Sequence, residues 1–331
     1  MIIVVTPNPA VDVTYRVAEQ RIGETQRVLD VARRPGGKGL NVGRVLAATG
    51  TGTHAVLPLG GPAGRWVADA LDELRLAHTD VAVTGETRTT VTVVDDRQHP
   101  TMFGEPGPRV TPDEWKAVSA SVERLLVKAE PSALVVSGSL PSGTDPAVVG
   151  TWVAAARARG VLSLVDCSGD ALLAAADAGA TICKPNRGEL LEATGAADER
   201  TGALQLLDRG AAVVVVSRGS DGIAAHTVDD VVEVPAIAGV TGNPTGAGDA
   251  ATAGLITALA ARPAGVSGGG APVVDASALR TAAAYGAAAV LRPVAGEVDR
   301  DDVRRFLTNT ETYAETDTAS APHDDRTGSP A

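Results

Sequence analysis

Short runs of consecutive apolar residues, rich in β-branched side chains, alternate along the chain with Ala- and Leu-rich stretches of helical length. The apolar runs predict strands at Ile2–Val5, Ala55–Pro58, Ala133–Val136, Leu162–Val165, Thr181–Cys183, Val213–Ser217 and Gly222–His226. The intervening stretches predict helices at Leu40–Ala48, Gly64–Leu74, Pro112–Val127, Pro146–Arg159 and Gly188–Leu191. Continuously apolar runs are typical of strands buried on both faces of a largely parallel sheet. The pattern therefore predicts a doubly wound α/β domain, in which ligands gather at the carboxyl ends of the strands.

Two segments, Val11–Val31 and Thr87–Phe103, carry a different pattern, in which apolar and polar residues alternate. In the second segment, for example, Val91 and Val93 alternate with threonines. Such alternation predicts antiparallel strands with one wet face, which would form a small second sheet beside the main domain. A small sheet next to a ligand site is suited to act as a lid, and an ordinary edge hairpin is the structural alternative.

The chain has 331 residues, which is enough for one large domain, and we assign residues 1–307 to it. The segment Pro263–Pro272 contains three consecutive glycines and is predicted to be a surface loop. Residues 308–331 are rich in Thr, Asp, Glu, Ser and Pro and lack apolar periodicity. They therefore predict a disordered C-terminal tail.

The formal net charge is −11, from 40 acidic and 29 basic residues. This excess of negative charge argues against a general nucleic-acid or anionic-membrane binder, whereas a phosphate ligand needs only a local cluster of cations. Two cysteines are too few for a disulfide framework, and no basic leader precedes the first strand. No apolar run approaches the roughly 18 residues of a membrane span. We therefore expect a cytoplasmic protein without membrane or nucleic-acid partners.

The segment GNPTGAGDAATA at residues 242–253 carries the clearest chemistry. Gly246 and Gly248 allow a tight turn that exposes consecutive N–H groups, and the run Ala250–Ala261 predicts a helix directly after them. A helix N-terminus favours negative charge, so this turn is suited to bind an anion. Asp249 would repel a bound phosphate, and it makes better sense as a base that takes a proton from a substrate hydroxyl. The alternative is an acid that only stabilises the first turn of the helix.

A second glycine-rich segment, PGGKGLN at residues 35–41, lies at the start of the first predicted helix. Gly37 admits a close approach of the backbone, Lys38 supplies a mobile positive charge, and Asn41 offers an amide to a hydroxyl. Asp12, shortly after the first strand, is a candidate for bridging two sugar hydroxyls. A solvated lysine loop and an ordinary turn acid are the structural alternatives.

Three further polar segments follow predicted strands and therefore lie at their carboxyl ends. Ser139 belongs to the segment SGSLP. In the segment KPNRGE, Asn186 and Glu189 are placed to reach the water shell of Mg²⁺, which keeps several waters and takes few protein ligands. The segment SRGSDG, which starts at Ser217, forms a turn that suits a nucleotide phosphate.

Other nucleotide and metal motifs are weak or missing from the sequence. It contains no P-loop motif, and its histidines and cysteines lack the spacing of zinc ligands. Gly246-x-Gly248-x-x-Ala251 matches the dinucleotide-binding fingerprint in form. No strand directly precedes this match, however, and Asp249 would face the pyrophosphate, so a dehydrogenase is a weak alternative.

The motifs GGKGLN near the start and NPTGAGDA near the end resemble those of the ribokinase-like (PfkB) carbohydrate kinases. The finer series VTPNPAVD, GGKGLNVGRVL, SGSLPSG, DCSG, KPNRGEL and VSRGSDG is similar to the phosphofructokinase and tagatose-6-phosphate kinase branch of that family. The resemblance runs from about Met1 to Phe306. It implies a ribokinase-like α/β fold with a β-sheet lid that often mediates dimerisation.

The resemblance also implies roles for individual residues. Asp249 is expected to be the proton acceptor, with an anion hole at Gly246, Ala247 and Gly248. The positions that would hold the phosphosugar are Asp12, Gly37, Lys38, Asn41, Arg88 and Ser139. The positions that would hold ATP are Lys184, Asn186, Ser217, Gly219 and Gly222. Mg²⁺ would be held, through water, by Asn186 and Glu189.

The chain departs in two places from some 6-phosphofructokinases of this branch. It has Glu24-Thr25-Gln26-Arg27 where they place a lysine in the lid, and Lys38 where their glycine-rich loop has only glycine. Lys38, Arg27 and Arg88 would then form the clamp for the phosphate of the sugar. These departures favour the 1-phosphofructokinase or tagatose-6-phosphate kinase pattern.

We therefore expect an ATP- and Mg²⁺-dependent kinase of a ketohexose phosphate, with fructose 1-phosphate converted to fructose 1,6-bisphosphate as the leading reaction. Tagatose 6-phosphate and fructose 6-phosphate are the alternative substrates, and a non-catalytic sugar-phosphate sensor is a further alternative. The apolar face of the lid needs cover, so we also expect a homodimer formed through the lid.

Overall fold

A computed structural model of the chain describes residues 1–95, 100–262 and 274–308. The strands are β1 (Ile2–Val5), β2 (Ala10–Arg16), β3 (Asp30–Gly36), β4 (Thr53–Leu59), β5 (His78–Ala82), β6 (Arg88–Val94), β7 (Thr101–Gly104), β8 (Ala133–Ser137), β9 (Leu162–Asp166), β10 (Ile182–Cys183), β11 (Val213–Ser217), β12 (Ile223–His226) and β13 (Val231–Val234). The helices are α1 (Lys38–Ala48), α2 (Gly61–Glu73), α3 (Pro112–Lys128), α4 (Ala147–Arg157), α5 (Asp170–Asp177), α6 (Arg187–Thr194), α7 (Glu199–Arg209), α8 (Ala247–Ala260) and α9 (Ala276–Val290). A further helical segment covers residues 300–308. None of the helices in these described ranges is long and apolar enough to span a membrane.

The main sheet of the described chain has nine strands, in the order β13-β12-β11-β10-β9-β8-β1-β4-β5. Strand β1 lies inside the sheet and pairs in parallel with β4 and β8, whereas β12 and β13 are antiparallel additions at one edge. This confirms the predicted mostly parallel, doubly wound sheet. The sequence pattern does not predict the edge strands β5 and β13, because edge strands lack the continuous apolar run of a fully buried strand.

Helices cover both faces of the main sheet, and successive residues of each strand enter opposite cores. Ile2 and Val4 pack with α1, α8 and α9, while Ile3 and Val5 pack with α3 and α4. Small side chains allow the helices to lie close together. At Gly254, a Cβ atom would approach the carbonyl oxygen of Thr281 in α9 to 2.8 Å. The core is therefore filled by closely packed helices with small side chains more than by large aromatic residues.

The second sheet has the order β3-β2-β6-β7 in the described chain, and its existence confirms the predicted small sheet. The expectation that it would be antiparallel throughout is wrong, because its central pair, β2 and β6, is parallel. The connection between these two strands passes through α1, β4, α2 and β5 of the main domain, and a crossover of this kind joins parallel strands. Val11 and Val13 on one face pack into a core with Val67 of α2, while the polar face, with Asp12 and Thr14, lines a cavity.

Several element boundaries differ from the sequence predictions. Helix α8 begins three residues earlier than predicted, because Gly246 adopts a left-handed conformation (φ 83°) and forms its N-cap. The apolar pattern does not predict α5, α7 and α9, although Asp198 and Asp275 provide side-chain N-caps for the last two. The last helical segment runs through Thr308, so the predicted start of the tail, at residue 308, is one residue too early. Residues 309–331 and the predicted loop Pro263–Pro272 lie outside the described residues.

Candidate active site

A cavity of about 500 Å³ lies between the carboxyl ends of the main-sheet strands, the N-terminus of α8 and the polar face of the small sheet. Most of the residues predicted from the sequence line it, namely Asp12, Gly37, Lys38, Asn41, Arg88, Ser139, Lys184, Asn186, Glu189, Ser217, Gly246, Gly248 and Asp249. Carboxyl ends of parallel strands meet at one edge of a sheet, which explains why segments far apart in the sequence converge here. Four predicted site residues, all within the described ranges, lie outside this lining: Arg27, Ala247, Gly219 and Gly222.

The structure places these four residues outside the cavity lining, and their roles in binding stay predictions. Arg27 lies in an exposed loop between β2 and β3, and Gly219 is exposed after β11. The N–H of Ala247 donates to the carbonyl oxygen of Pro244 (3.1 Å), so it closes a turn instead of facing a ligand. Gly222 has φ 97°, and a Cβ atom there would lie 2.2 Å from the carbonyl oxygen of Val234. This glycine is therefore required by the packing of the chain on itself.

The turn before α8 is a candidate anion-binding corner. Gly246 adopts a left-handed conformation, and a Cβ atom there would come within 2.8 Å of the Cβ of Ala295. At Gly248, by contrast, an added Cβ would meet no atom within 4 Å, because this residue borders the open cavity. The helix itself offers no acceptor to the N–H groups of Gly248 and Asp249, since the first turn of a helix leaves its donors unpaired. These donors and the helix dipole favour a bound anion.

Asp249 is buried in the first turn of α8, with 7% of its surface exposed. The side-chain amide of Asn41 in α1 donates to its Oδ2 at 2.8 Å. Burial and the nearby negative charge of Asp166 raise the pKa of Asp249 to about 7, against the opposing effects of Asn41, Lys38 and Lys184. A carboxylate with a pKa near neutrality is well matched to accept a proton from a substrate hydroxyl.

Asp166, at the end of β9, is a central residue to which the sequence motifs assign no role. Its Oδ2 accepts from Nζ of Lys184 at 2.9 Å and from the hydroxyl of Thr252 in α8 at 2.8 Å. Burial opposes ionisation, but the charges of Lys184 and Lys38 hold the pKa of Asp166 below its ordinary value. The sequence does contain a signal for this residue, because an acid directly follows a continuously apolar strand. Polar side chains at the carboxyl ends of parallel strands can reach a bound ligand.

Lys38, the first residue of α1, crosses the site to two acidic side chains. Its Nζ lies 3.0 Å from Oε1 of Glu189 and 3.5 Å from Oδ1 of Asp166. The negative charge of Asp166 is the main cause that raises the pKa of Lys38, so the ammonium form is firmly favoured. The side chain is 40% exposed, in contrast to Lys184, which is 2% exposed. Lys38 is therefore a movable cation and Lys184 a fixed one.

Asn186 and Glu189 form a capping box at the start of α6. The side chain of Asn186 accepts from the N–H of Glu189, and Oε2 of Glu189 accepts from the N–H of Asn186, both at 2.9 Å. This leaves Oε1 of Glu189 and Oδ1 of Asp166 on the cavity side, and two carboxylate oxygens completed by water suit Mg²⁺. Within residues 1–95, 100–262 and 274–308, no group of three or more His, Cys, Asp or Glu side chains converges as a metal site.

The small sheet contributes two of the predicted residues, Asp12 and Arg88. The guanidinium of Arg88 donates from Nε and Nη2 to the carbonyl oxygen of Asn8 (3.2 and 3.1 Å) and from Nη1 to that of Glu105 (3.0 Å). Burial raises the pKa of Asp12 to about 6, opposed by a hydrogen bond from the backbone of Gly37 and by the charge of Arg88. Both side chains are therefore held in place before a ligand arrives.

Arg34 of β3 is a second cavity residue that the motifs do not identify. Its Nε lies 3.4 Å from Oε1 of Glu297, which also accepts from Nη2 of the buried Arg44 at 3.3 Å. The contact connects the small sheet to the segment after α9. Asp12 and Arg34 are paired in register on adjacent strands, so both face the cavity. The register of β3 determines that the side chain of Arg34 faces the cavity, and this register was not apparent from the sequence of the strand.

A family profile for pfkB family carbohydrate kinases matches residues 6–301. The chain belongs to this family. The match includes every residue of the cavity lining. Membership confirms the sequence interpretation of a phosphotransferase that acts on a sugar, and the candidate anion-binding corner and Asp249 lie within the matched residues.

Solved structures of related kinases share this fold. Escherichia coli phosphofructokinase-2 in complex with fructose-6-phosphate is 26% identical, with a TM-score of 0.80, over 94% of this chain and 99% of that chain. A possible 1-phosphofructokinase from Thermotoga maritima is 23% identical, with a TM-score of 0.77, over 93% and 97%. Arabidopsis thaliana ribokinase complexed with ribose and ATP is 21% identical, with a TM-score of 0.69, over 92% and 98%. These likenesses confirm the predicted ribokinase-like fold of this pfkB family member.

The raised pKa of Asp249 predicts how its replacement changes stability with pH. The unfolded carboxyl ionises near its ordinary pKa of 3.8, whereas the folded one ionises near 7, so folding is penalised increasingly as the pH rises between these values. Asp249→Asn removes this penalty. The thermal midpoint of the variant minus that of the wild type should therefore grow from pH 5 to pH 8, as measured by scanning calorimetry.

The matched control for this comparison is Asp229→Asn, which alters an exposed acid in the loop before β13. The thermal midpoint of this control should differ from that of the wild type by the same amount at pH 5 and at pH 8. A difference for Asp249→Asn that is equally independent of pH would contradict the buried, proton-binding state assigned to this carboxyl.

Proposed function

We propose that this pfkB family kinase transfers the γ-phosphoryl group of ATP to the free primary hydroxyl of fructose 1-phosphate, giving fructose 1,6-bisphosphate. The observation that carries the proposal is the position of Asp249. A buried carboxylate with a pKa of about 7 borders the unpaired N–H groups of a helix N-terminus, within a cavity that also contains Lys38, Arg34 and Arg88. A base, an anion hole and cations that can face phosphate groups are the three parts that phosphorylation of a phosphosugar requires.

In the proposed reaction, the hydroxyl oxygen attacks the γ-phosphorus in line as the bond to the β–γ bridging oxygen breaks. Asp249 accepts the hydroxyl proton, and ADP leaves with the bridging oxygen. Asn41 holds Oδ2 of Asp249 through its 2.8 Å hydrogen bond, which orients the base. The N–H groups of Gly248 and Asp249 stabilise the charge on the transferred group, so that positioning and electrostatics supply the rate.

The residues present fit a nucleotide accompanied by Mg²⁺. Asp166 and Glu189 each direct a carboxylate oxygen to the cavity side, and we propose that they hold the ion, with Asn186 nearby. When bound, Mg²⁺ neutralises the charge of the β- and γ-phosphates. ATP is proposed to lie against Ser217 and Asn186, at the ends of β11 and β10. The ribokinase of the same fold, solved with ATP, supports this choice of nucleotide.

The second candidate substrate is fructose 6-phosphate, because the 26% identical Escherichia coli enzyme has been solved with it. Tagatose 6-phosphate is the third candidate. Lys38 favours fructose 1-phosphate, since it supplies a charge where some 6-phosphofructokinases have only glycine. Initial rates with all three phosphosugars, measured as ADP formation, separate these candidates directly.

We expect kcat/KM for fructose 1-phosphate to exceed that for each of the other two sugars by about 10-fold or more, which corresponds to about 1.4 kcal/mol of transition-state binding. Reactions without sugar, or with unphosphorylated fructose, provide the background. A higher kcat/KM for fructose 6-phosphate would replace the proposed substrate. Reduction of NAD without ADP formation would remove the kinase assignment altogether.

We also propose that Arg34, rather than Arg27, completes the clamp for the phosphate of the sugar. Arg34 lines the cavity, whereas Arg27 lies in the exposed loop between β2 and β3. Arg34→Gln should raise KM for the phosphosugar about 10-fold, because a charge-assisted hydrogen bond contributes about 1.5–3 kcal/mol, while KM for ATP changes little. Arg27→Gln, the matched control in the loop between β2 and β3, should leave both KM values within about twofold of the wild type. A larger increase in KM for the phosphosugar in Arg27→Gln than in Arg34→Gln would show that Arg27, and not Arg34, contacts the phosphate of the sugar.

A homodimer formed through the small sheet is part of the proposal. Six of the eleven large apolar side chains that are exposed in the described residues lie on this sheet or its β2–β3 loop: Ile22, Val28, Leu29, Val31, Met102 and Phe103. Strands β3 and β7 are also open sheet edges, which favour pairing with another chain. The Escherichia coli enzyme has been solved in a tetrameric inhibited form, which supports self-association.

Sedimentation velocity should accordingly show a dimer for the wild type and a monomer for Phe103→Arg, because the charge would be desolvated in the interface. Val228→Arg is the matched control, since Val228 is equally exposed but lies in the loop between β12 and β13. A wild-type monomer at micromolar concentration, or dissociation by Val228→Arg alone, would contradict a dimer through the small sheet.

A further inference from the structure

Lys38 lies between two carboxylate oxygens that are otherwise directed to the cavity. Oδ2 of Asp166 is occupied by Lys184 and Thr252, and Oε2 of Glu189 is occupied by the N–H of Asn186. The ammonium of Lys38 contacts the remaining oxygen of each acid, at 3.5 Å and 3.0 Å. A cation bridging one oxygen from each of two acids has the same surroundings as a divalent ion held by that pair. The ammonium of Lys38 is therefore a stand-in for the metal.

The charges of the site make Lys38 and a metal ion alternatives. With Asp249 ionised, three carboxylates face two lysines, Lys38 and Lys184, which leaves one net negative charge. If Lys38 leaves, the net charge becomes two negative, and the acids attract a divalent cation more strongly. If a divalent cation arrives while Lys38 stays, two cations repel each other between the same two oxygens. Either cation alone satisfies the acidic pair.

Lys38 is built to move, whereas Lys184 is not. Lys184 is 2% exposed and fixed against Asp166, but the side chain of Lys38 is 40% exposed and starts at the first residue of α1. The backbone before it turns through Gly37, whose φ of 98° carries the chain past the cavity wall. The anion that can compete for this ammonium is the phosphate of a bound phosphosugar, which the neighbouring Arg34 and Arg88 attract to the same cavity.

We propose that Lys38 is a counter-ion gate for the divalent metal. In the empty enzyme its ammonium occupies the space between Asp166 and Glu189 and weakens metal binding. When a phosphosugar binds, its phosphate draws Lys38 away from the acids, and the vacated oxygens accept the ion. The inference rests on the proposed function only in taking the competing anion to be the phosphate of the sugar substrate.

The gate has a thermodynamic and a chemical consequence. Phosphosugar and metal must strengthen each other's binding by the same factor, since coupling between two sites is reciprocal. Metal binding is strongest when the acceptor sugar is present, so transfer of the γ-phosphoryl group to water is slowed without it. Lys38 thus acts as a positioning residue for the metal in addition to contacting the phosphate.

The test measures binding of Mn²⁺, as a probe for the divalent site, to the full chain without nucleotide, by the loss of its free electron paramagnetic resonance signal. Fructose 1-phosphate should tighten Mn²⁺ binding to the wild type about fivefold or more, within the usual range of coupling between sites. Lys38→Met keeps the length of the side chain and removes its charge. This variant should bind Mn²⁺ at least about fivefold more tightly than the wild type without sugar, and the sugar should add nothing.

Lys116→Met is the matched control, because Lys116 is an exposed lysine on α3 whose ion pair with Asp113 is remote from the cavity lining. It should behave as the wild type in every arm. Unchanged thermal midpoints will show that each variant is folded. Sulfate serves as a second anion probe, and it should tighten Mn²⁺ binding to the wild type but not to Lys38→Met.

Two results would overturn the gate. One is Lys38→Met binding Mn²⁺ no more tightly than the wild type. The other is an unchanged affinity of the wild type for Mn²⁺ when calorimetric titration shows that fructose 1-phosphate is bound. Failure of the proposed function is distinguishable, because it appears as absent turnover of fructose 1-phosphate, while the comparison of Lys38→Met with the wild type uses Mn²⁺ alone and needs no substrate.

Discussion

The buried carboxylate of Asp166 at the end of β9 sets the charge balance on which the rest of the site depends. A charge removed from water must be paired and hydrogen-bonded, and Asp166 meets this requirement with Lys184, Thr252 and Lys38. Its negative charge also contributes to the raised pKa of Asp249, second only to burial. One acid therefore fixes a lysine, holds a second lysine near Glu189 and keeps the candidate base close to neutrality.

The fold supplies this arrangement through the ends of its parallel strands. Strands β8 to β11 deliver Ser139, Asp166, Lys184 and Ser217 along one edge, and α8 directs its N-terminus at the same place. The small sheet then covers the opening with its polar face while its apolar face packs on α2. The strands hold the buried acids, the movable cation Lys38 enters from α1, and the small sheet adds Arg34 and Arg88.

The local sequence was sufficient to predict features that depend only on neighbouring residues. Continuous apolar runs predicted the central strands, and the glycines around Asp249 predicted a helix N-terminus beside an acid. Properties that depend on distant segments were not predictable. The parallel pairing of β2 and β6 depends on a crossover through the main domain, and the orientation of Arg34 depends on the register of β3. For Gly222, the pattern suggested a nucleotide contact, whereas the packing against Val234 is what requires a glycine.

The measurement that most directly tests the central claim, proton acceptance by Asp249, is kcat for Asp249→Asn with saturating ATP and phosphosugar. Loss of a general base typically costs about 10²–10⁴ in rate, and calorimetric titration should show that both ligands still bind with nearly wild-type affinity. This combination would show that the side chain acts on the transferred proton rather than on binding. A kcat within a few-fold of the wild type would contradict the account.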